Sequence, residues 1–383
     1  MQETDWKKIR SEYPVTENYI WLNNCGTTPA SLRAVNAVHR YLQGYAGAGV
    51  FSETEKYPSV KKYIKDTLSE IIQCRKEEIA LMHNTAEGLN TVSIGLDLQE
   101  GDEILVLENE YPSNVYPWEH WKSRGVSLKF IPMAENPSDF LEKFKSLLTD
   151  RTRVAALSAV HWCTGMVFPL KEIGKICSER NIFFAVDAAQ GVGNTEINVR
   201  EMKIDVMAFS AWKWLLGPLG MGILFINSEK LDKIRLVFKG TDSVVNPDVY
   251  LPYRDELQPG AERFELSTAN YSDWVYFRHT LMMLSEIGFD RVRMRIHELS
   301  DFLSDLLKKK GYSLASEKFS EKTGIIACSK KNLDSGKTAA GLREKKIICA
   351  DRLGRVRFSP HIYNSFEDLE KTVSILESTA VFR

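Results

Sequence analysis

Cysteine and histidine are scarce in this 383-residue chain, and neither is clustered. The six cysteines fall at irregular spacings without a C-x-x-C pair, which argues against a zinc site or a disulfide framework and favours reduced thiols. The seven histidines include no pair at helical spacing, so we expect no bound metal. The cysteines are Cys25, Cys74, Cys163, Cys177, Cys328 and Cys349.

The sequence also lacks a charge bias and a long apolar run. Its 50 basic and 51 acidic residues give a net charge of -1, which points away from nucleic acid and anionic membranes as partners. No apolar run approaches the roughly 20 residues of a membrane span. The N-terminal stretch MQETDWKKIRSEYP is polar and lacks a secretory signal pattern. We therefore expect a cytoplasmic protein with a small-molecule partner and no membrane contact.

Short apolar runs alternate with longer amphipathic stretches from about residue 78 onwards. Several runs are continuously apolar, as in strands that are buried on both faces, and the stretches between them have helical periodicity. This alternation predicts βα units around a mostly parallel sheet. The runs are EIALMH, EILVLE, SLKFIPM, RVAALSAVH, IFFAVDA, DVMAFSA and GMGILFI, and the helical stretches include PSDFLEKFKSLL and PLKEIGKICSERN.

The pattern changes after Gly240, which suggests a second domain. A proline-containing stretch, VVNPDVYLPYRDELQPG, leads into helical sequence from about Ser272 to Lys310. Short strands (GIIACS, KIICAD, RVRFS) and a final helix from near Ser365 follow. We predict an N-terminal segment at 1–20 that packs on the small domain, a large α/β domain at 21–245 and a smaller α+β domain at 246–383.

One lysine, Lys213, lies between two tryptophans in FSAWKWLLGPLGMG with no acid nearby in sequence. A buried ammonium without a partner is costly, so such a lysine lowers its pKa, reaches the surface or is modified. Asp187 ends the apolar strand FFAVD, where it is either an N-cap for the next turn or a functional acid. If the strands that precede Asp187 and Ser210 are neighbours, Asp187 and Lys213 face the same crevice.

The segment MHNTAEGLN ends a strand and opens a helix at Thr85. Such a helix start offers N–H groups and a positive dipole end to a phosphate, although simple capping by Thr85 explains the pattern equally well. Lysine, acid and phosphate cradle together match the needs of pyridoxal phosphate: a Schiff base, a partner for the ring nitrogen and a phosphate site.

The chain resembles the class V aminotransferase-like pyridoxal phosphate enzymes, the group of cysteine desulfurases, kynureninase and isopenicillin N epimerase. The resemblance runs from WLNNCGTTPAS to RVRFSPHIYNSFEDLEK, and VDAAQ followed after 18 residues by FSAWKWLLGPLGMGIL is its most specific part. It implies a fold type I transferase: a mostly parallel central sheet with helices on both faces, plus a smaller C-terminal α+β domain.

The resemblance implies a role for each matching residue. Lys213 and Asp187 would be catalytic, as Schiff-base lysine and pyridinium partner. Arg357 would bind the substrate α-carboxylate and Thr268 would reach the neighbouring subunit's cofactor in a homodimer. The other implied cofactor-binding residues are Thr85, Ala86, Glu87, Tyr111, Ala189, Gln190, Ser210 and Trp212, and further candidates at the substrate are Arg352 and Trp162.

Four of these residues also have an ordinary interpretation. Tyr111 would be a core aromatic, Trp162 a core residue, Thr268 a loop hydroxyl and Arg357 a surface partner of Glu367 or Asp368. Arg355 is a rival for the substrate carboxylate.

Two departures from the family pattern bear on the reaction. Many relatives have histidine where Trp212 and Tyr111 stand here, so two titratable groups are missing. Cys349, only eight residues before Arg357, lies in the apolar run KIICAD. A buried thiol has a raised pKa and poor access, so we disfavour Cys349 as a persulfide carrier.

We therefore expect a pyridoxal phosphate enzyme that acts on an amino acid through its Cα carbanion, with Lys213 as general base. A cysteine-type C–S β-lyase is favoured over an aminotransferase, and an epimerase follows. A Rossmann-like nucleotide binder is the alternative from another class, but HNTAEG stands where its glycine fingerprint belongs. A catalytically silent binding subunit of the same fold is a third interpretation.

Overall fold

The computed structural model describes residues 4–49, 56–319 and 321–378. The strands are β1 Ile20–Trp21, β2 Ile79–Met82, β3 Glu103–Leu107, β4 Ser127–Ile131, β5 Thr152–Ser158, β6 Phe183–Asp187, β7 Val206–Ser210, β8 Gly222–Ile226, β9 Ser313–Leu314, β10 Ile326–Ser329, β11 Ile347–Ile348, β12 Ala350–Arg352 and β13 Arg355–Phe358. The helices are α1 Trp6–Ser11, α2 Val15–Asn18, α3 Leu32–Ala48, α4 Tyr57–Ile72, α5 Thr85–Gly95, α6 Tyr116–Glu119, α7 Pro137–Leu147, α8 Leu170–Glu179, α9 Tyr271–Ile287, α10 Phe289–Lys309, α11 Ser335–Glu344 and α12 Phe366–Ser378.

All seven apolar runs form one seven-stranded sheet in the order β2-β8-β7-β6-β5-β3-β4. The strands β7, β6, β5, β3 and β4 are parallel, whereas β8 runs antiparallel to both of its neighbours. Strands β6, β7 and β8 are buried at every position, because the sheet is covered on both faces. The predicted α/β fold with a mostly parallel central sheet is therefore confirmed.

The two faces of the sheet lie in two separate cores. On one face, alternate strand residues such as Phe184 and Met207 join a core that includes apolar residues of α4, α7, α8 and α9. On the other face, residues such as Ala185 and Ala208 pack with α5 and with Trp118 and the adjacent Trp121. Helix α5 therefore lies directly against the central strands, and its first turn is carried to their carboxyl ends.

The C-terminal part forms a smaller four-stranded antiparallel sheet in the order β12-β13-β10-β9. Its own core includes residues of α10, α11 and α12. The helical stretch predicted from Ser272 to Lys310 is two helices, because Gly288 between them has φ 93° and ends α9. A left-handed glycine is a common helix stop.

The N-terminal segment contacts the C-terminal part of the chain. Strand β1 pairs in parallel with β11, and Arg10 forms an ion pair with Asp368 of α12 at 2.5 Å. The predicted domain boundaries at 20/21 and 245/246 stay a prediction. Residues 1–3, 50–55, 320 and 379–383 of the predicted domains lie outside the described residues. Across the described helices, none is long and apolar enough to cross a bilayer.

Candidate active site

A pocket lies at the carboxyl ends of the central parallel strands. Strands β6 and β7 are direct neighbours, with Asp187 in register with Ala208, so the residues that follow the two strands meet at one edge. The pocket has an empty volume of about 690 Å³, counting space open to solvent, which is the scale of a cofactor with a small substrate. It is lined by Cys25, Gly26, Asn84, Thr85, Ala86, Tyr111, Ser113, Trp162, Asp187, Ala189, Gln190, Ser210, Trp212, Lys213, Arg352 and Arg357.

Asp187 is buried at the floor of this pocket. Its Oδ1 accepts a hydrogen bond from the Ala189 N–H at 2.9 Å, so the capping interpretation holds for one of the two oxygens. No other hydrogen bond reaches its side chain from the described residues. Burial raises the pKa of Asp187, and the positive charge of Lys213 opposes that rise. A cationic group placed beside the free oxygen would lower the pKa of Asp187 and favour its ionised form.

Lys213 projects into the pocket without a partner acid. Among the described residues no carboxylate lies within 4.0 Å of its Nζ, which sits 5.5 Å from the centroid of the Tyr111 ring. Burial lowers the pKa of Lys213 while Asp187 acts in the opposite direction, so the neutral amine is favoured more than in water. The backbone at Lys213 is fixed by a hydrogen bond, because the Asn24 side-chain amide donates to the Lys213 carbonyl at 3.2 Å.

The opposite end of the pocket is built by the first turn of α5. Its N-cap is Asn84, whose side-chain oxygen accepts from the Glu87 N–H at 2.8 Å, so the expectation that Thr85 caps the helix is wrong. The N–H groups of Thr85 and Ala86 have no intrahelical acceptor in this turn. Beside them the Ser210 hydroxyl is buried and has no hydrogen-bond partner in the part of the chain that the structure describes.

The close approach of α5 to the sheet depends on a glycine. A Cβ at Gly222, the first residue of β8, would lie 2.6 Å from the backbone of Asn84. Any larger residue would push the α5 N-terminus away from Ser210, which pairs with Gly222 across the two strands. The glycine thus sets the width of this end of the pocket.

Two predicted cofactor residues lie outside the pocket. The Glu87 carboxylate contacts His83 Nδ1 at 3.0 Å, and the Glu87 amide is held by Asn84. Glu87 and Thr268 both line a second cavity, near Gly220. We therefore assign Glu87 no contact with the cofactor. The predicted reach of Thr268 to a neighbouring subunit stays a prediction.

The residues predicted to surround the cofactor ring do meet. The Gln190 amide nitrogen donates to the Cys25 carbonyl at 3.0 Å and its oxygen accepts from Trp214 Nε1 at 2.9 Å, which leaves one N–H for a ligand. Tyr111 is 43% exposed and meets Trp162 edge to face at 5.7 Å between centroids. The interpretation of Tyr111 as a core aromatic is therefore wrong. Ala189 and Trp212 complete the wall.

Arg357 enters the pocket from β13 and is only 2% exposed. Its Nη1 donates to the Trp162 carbonyl at 2.5 Å and its Nη2 to Asn23 Oδ1 at 3.4 Å, but its Nε is buried without a partner. The alternative of a surface pairing with Asp368 is wrong, since Asp368 pairs with Arg10 instead. An unpaired buried guanidinium suits an anionic ligand.

The two other arginines of this hairpin differ in position. Arg352 is exposed and lines the pocket mouth, whereas Arg355 does not line it and donates to Ser329 Oγ at 3.1 Å. Of the two rivals, only Arg352 can contact a ligand in this pocket.

Glu110 is a buried acid beside the site that sequence reasoning missed. Its carboxylate accepts from the Tyr111 N–H at 2.7 Å, from Ser158 N at 2.9 Å and from Ser158 Oγ at 2.7 Å. Burial, together with the nearby Asp187, raises the pKa of Glu110 to about 7 although these donors act to lower it. Its signal in the sequence was an acid directly before Tyr111, within LENEYPSN.

The cysteines fall into two groups at this site. Cys25 lines the pocket, with its carbonyl bound by Gln190. Cys163 and Cys349 do not line it, and burial raises the pKa of Cys163 to about 11 and that of Cys349 to about 12. The sequence-based argument against Cys349 as a persulfide carrier agrees with this burial.

The donor set fits pyridoxal phosphate. An orphaned serine hydroxyl and two free helix N–H groups suit a phosphate, a free carboxylate oxygen suits the ring nitrogen, and an unpaired lysine of lowered pKa suits the aldehyde. Among the described residues, no three His, Cys, Asp or Glu side chains are grouped so that they could hold a metal ion.

Comparisons with known proteins identify the family and the fold. The family model Aminotransferase class-V matches residues 20–372. A probable cysteine desulfurase from Pyrococcus abyssi is 29% identical, with 96% of each chain covered. The apo structure of a cysteine desulfurase from Thermococcus onnurineus NA1 superposes with a TM-score of 0.86 at 25% identity, over 99% of both chains. The structure of the cystine C–S lyase C-DES with its product, cysteine persulfide, gives a TM-score of 0.87 at 23% identity, over 95% of this chain and 98% of that one, and shows the shared fold.

Fold and pocket together define a pyridoxal-phosphate-dependent enzyme that acts on an amino acid. The chain belongs to the class-V aminotransferase family.

Proposed function

We propose that this protein is a pyridoxal phosphate-dependent C–S lyase that acts on cysteine-type amino acids. The observation that carries the proposal is the meeting of Lys213, Asp187 and Arg357 in one pocket whose described thiols include no exposed carrier. The family membership supplies the cofactor class, and the desulfurase and C–S lyase relatives support a sulfur-bearing substrate.

The chain's residues would hold the cofactor at three points. Lys213 Nζ would bind the aldehyde carbon, Asp187 would face the ring nitrogen, and Ser210 with the Thr85 and Ala86 N–H groups would hold the phosphate. When bound, pyridoxal phosphate supplies an electron sink for charge that develops at Cα.

The substrate side would be organised by Arg357 and Lys213. Arg357 would bind the α-carboxylate and so fix which Cα bond points at Lys213. Burial lowers the pKa of Lys213, which favours its free amine as the group that would accept the Cα proton. The Tyr111 ring, 5.5 Å from Lys213 Nζ, would cover the reacting centre and limit water.

Elimination is favoured over sulfur transfer to a protein thiol for a structural reason. A persulfide carrier must be an accessible thiolate. Five of the cysteines are buried, and two of these, Cys163 and Cys349, have a raised pKa that keeps the thiol protonated. The leaving sulfur would therefore depart as a free thiol or sulfide.

A homodimer is also part of this proposal, with Thr268 reaching the partner's site. Support comes from the exposed aromatic and aliphatic side chains of the 246–260 loop: Tyr250 is 74%, Leu251 68% and Tyr253 92% exposed. Such a cluster is typical of a surface that a partner covers. The cytoplasmic location stays a prediction.

The test of the function begins with the cofactor. Protein soaked with pyridoxal phosphate should absorb visible light, and borohydride should fix the cofactor to the Lys213 peptide. Lys213→Ala should lose the covalent label, whereas Lys239→Ala, at an exposed lysine paired with Asp255, should keep it. A colourless protein with no label at Lys213 would reject the proposal.

The products then distinguish the three candidate reactions: elimination, transamination and epimerisation. S-substituted cysteines should yield pyruvate and a thiol without any keto acid, since elimination needs no amino acceptor. Turnover that depends on a keto acid would establish an aminotransferase instead, and loss of chirality without pyruvate would establish an epimerase.

The dimer is tested by complementation. Lys213→Ala and Thr268→Val subunits, each with low activity alone, are mixed and allowed to exchange. If Thr268 serves the neighbouring site, the mixed dimer contains one intact site and activity returns. No recovery, with exchange verified by mass, would place Thr268 in its own site or in none.

A further inference from the structure

The hairpin that carries Arg352 and Arg355 has a rigid two-residue turn. Leu353 and Gly354 have φ of 48° and 71°, as in the tight turns that join adjacent antiparallel strands. The register pairs Arg352 with Arg355 and Ala350 with Arg357. Directly paired residues share a face and so do alternate residues of one strand, so the three arginines project from the same face.

The charges of these arginines are not neutralised within the described chain. No described carboxylate lies within 4.0 Å of Arg352, Arg355 or Arg357. Their hydrogen bonds go to uncharged acceptors: the Asp351 carbonyl at 2.7 Å for Arg352, the Ser329 hydroxyl for Arg355, and the Trp162 carbonyl and Asn23 Oδ1 for Arg357. Like charges placed directly opposite each other destabilise a sheet, so an anion bound here would be stabilising.

The pocket therefore has more cationic than anionic side chains, and Arg352 is the cation at its mouth. Its lining contains Lys213, Arg352 and Arg357 but a single carboxylate, Asp187, at the floor. A cofactor phosphate would sit at Ser210 and the α5 N-terminus, and the α-carboxylate at the buried Arg357. Arg352, a diagonal cross-strand neighbour about 7–8 Å from Arg357 at the backbone, is left without an anion.

We propose that Arg352 binds a second acidic group on the substrate side chain, so that the substrates are S-substituted cysteines whose departing sulfur carries an anion. The proposal rests on the C–S lyase function proposed above and names its substrate class. The separation between Arg352 and Arg357 suits two anionic groups that are a few bonds apart.

The elimination then balances as follows. The Cα–H bond breaks and its proton goes to Lys213. The Cβ–S bond breaks and its electron pair leaves with the sulfur, as a thiolate that also carries the anionic group. This thiolate is then protonated. Water releases the remaining fragment as pyruvate and ammonia. No oxidant or reductant is needed.

Binding tests the site without turnover. Glutarate carries two carboxylates, and its half-amide glutaramate has the same shape with one. Calorimetry on the protein with and without cofactor should show glutarate binding at least about tenfold more tightly, the size of one charge-assisted hydrogen bond. Arg352→Gln should bring this ratio near one, and the matched variant Arg355→Gln should retain it. An unchanged ratio in Arg352→Gln would overturn the proposal.

Turnover tests the substrate class. S-carboxymethyl-L-cysteine and its neutral isostere S-carbamoylmethyl-L-cysteine differ only in the charge at the predicted Arg352 contact. The ratio of their kcat/KM values should favour the acid in the wild type and fall about 10–100-fold in Arg352→Gln but not in Arg355→Gln. Equal kcat/KM values in the wild type would refute the substrate class while leaving the lyase function intact. Absence of a Lys213-bound cofactor and of any turnover would instead show that the lyase function has failed.

Discussion

The two sides of the pocket are built from different parts of the chain. The cofactor side comes from the carboxyl ends of the adjacent strands β6 and β7 and from the first turn of α5, and Asp187, Ser210 and Thr85 on it are all buried. The substrate side combines the N-terminal Cys25 with the β12–β13 hairpin, and includes the exposed Arg352. This difference indicates that the cofactor chemistry is fixed by the rigid core. Selectivity for the substrate instead depends on segments that can vary without disturbing the sheet.

The largest expected effect lies on the cofactor side. Asp187→Asn should lower kcat by about 10²–10³, because a neutral amide cannot keep a ring nitrogen protonated. Burial raises the pKa of Asp187, which means that ionisation costs folding free energy, so the variant apoprotein should be at least as stable as the wild type. Steady-state kinetics and thermal unfolding of the apoprotein measure the two quantities. A variant that loses both activity and stability would show that Asp187 is mainly structural.

An effect of intermediate size is expected at Arg357. Arg357→Lys keeps the charge but loses the bidentate fork, so kcat/KM should fall about 10–100-fold for every amino-acid substrate, whatever its side chain. That uniform loss contrasts with the selective loss expected for Arg352→Gln. Kinetics with the carboxymethyl and carbamoylmethyl substrates compare the two variants, and a selective loss at Arg357 would reverse the assignment of the two arginines.

A pH effect on the free energy of unfolding is expected from Glu110, the buried acid beside the cofactor side that accepts from Tyr111 and Ser158. Its folded pKa of about 7 exceeds the ordinary value of 4.5, so the native state favours the protonated acid. The stability that this provides is present below pH 4.5 and is lost as the pH rises to 7, by at most about 3 kcal/mol. Denaturant unfolding of the apoprotein between pH 4.5 and 7 should show this decline in the wild type. Glu110→Gln cannot titrate, so its curve should be flatter, and parallel curves would contradict the assignment.

The smallest effect is expected at Cys25 on the substrate side. Cys25→Ser should reduce pyruvate formation by no more than about tenfold, because elimination needs no thiol from the protein. Pyruvate and thiol assays with S-substituted cysteines measure this. A complete loss of turnover, with cofactor still bound to Lys213, would mean that Cys25 takes the sulfur and would favour a desulfurase.

The sequence predicted the cofactor side better than the substrate side for a physical reason. Continuous apolar runs identify doubly buried strands, and polar residues at strand ends must meet at one edge of a parallel sheet, so Asp187 and Lys213 could be placed together. The antiparallel direction of β8, the capping by Asn84 and the break at Gly288 depend on local hydrogen bonds and packing that periodicity does not encode. The contacts of Glu110 with Ser158 and of Cys25 with Gln190 are long-range, and the acid directly before Tyr111 does not by itself reveal its partners.

The pairing of the first strand with residues near the end of the chain has a consequence for biosynthesis. The Ser359 N–H donates to the Leu22 carbonyl at 2.7 Å, and the Ser359 hydroxyl accepts from the Cys25 N–H at 2.9 Å. The central sheet is complete once residue 226 has left the ribosome, but these contacts must wait for more than a hundred further residues. A nascent chain can therefore form the cofactor side of the pocket well before the hairpin that carries Arg352 and Arg357 has been synthesised.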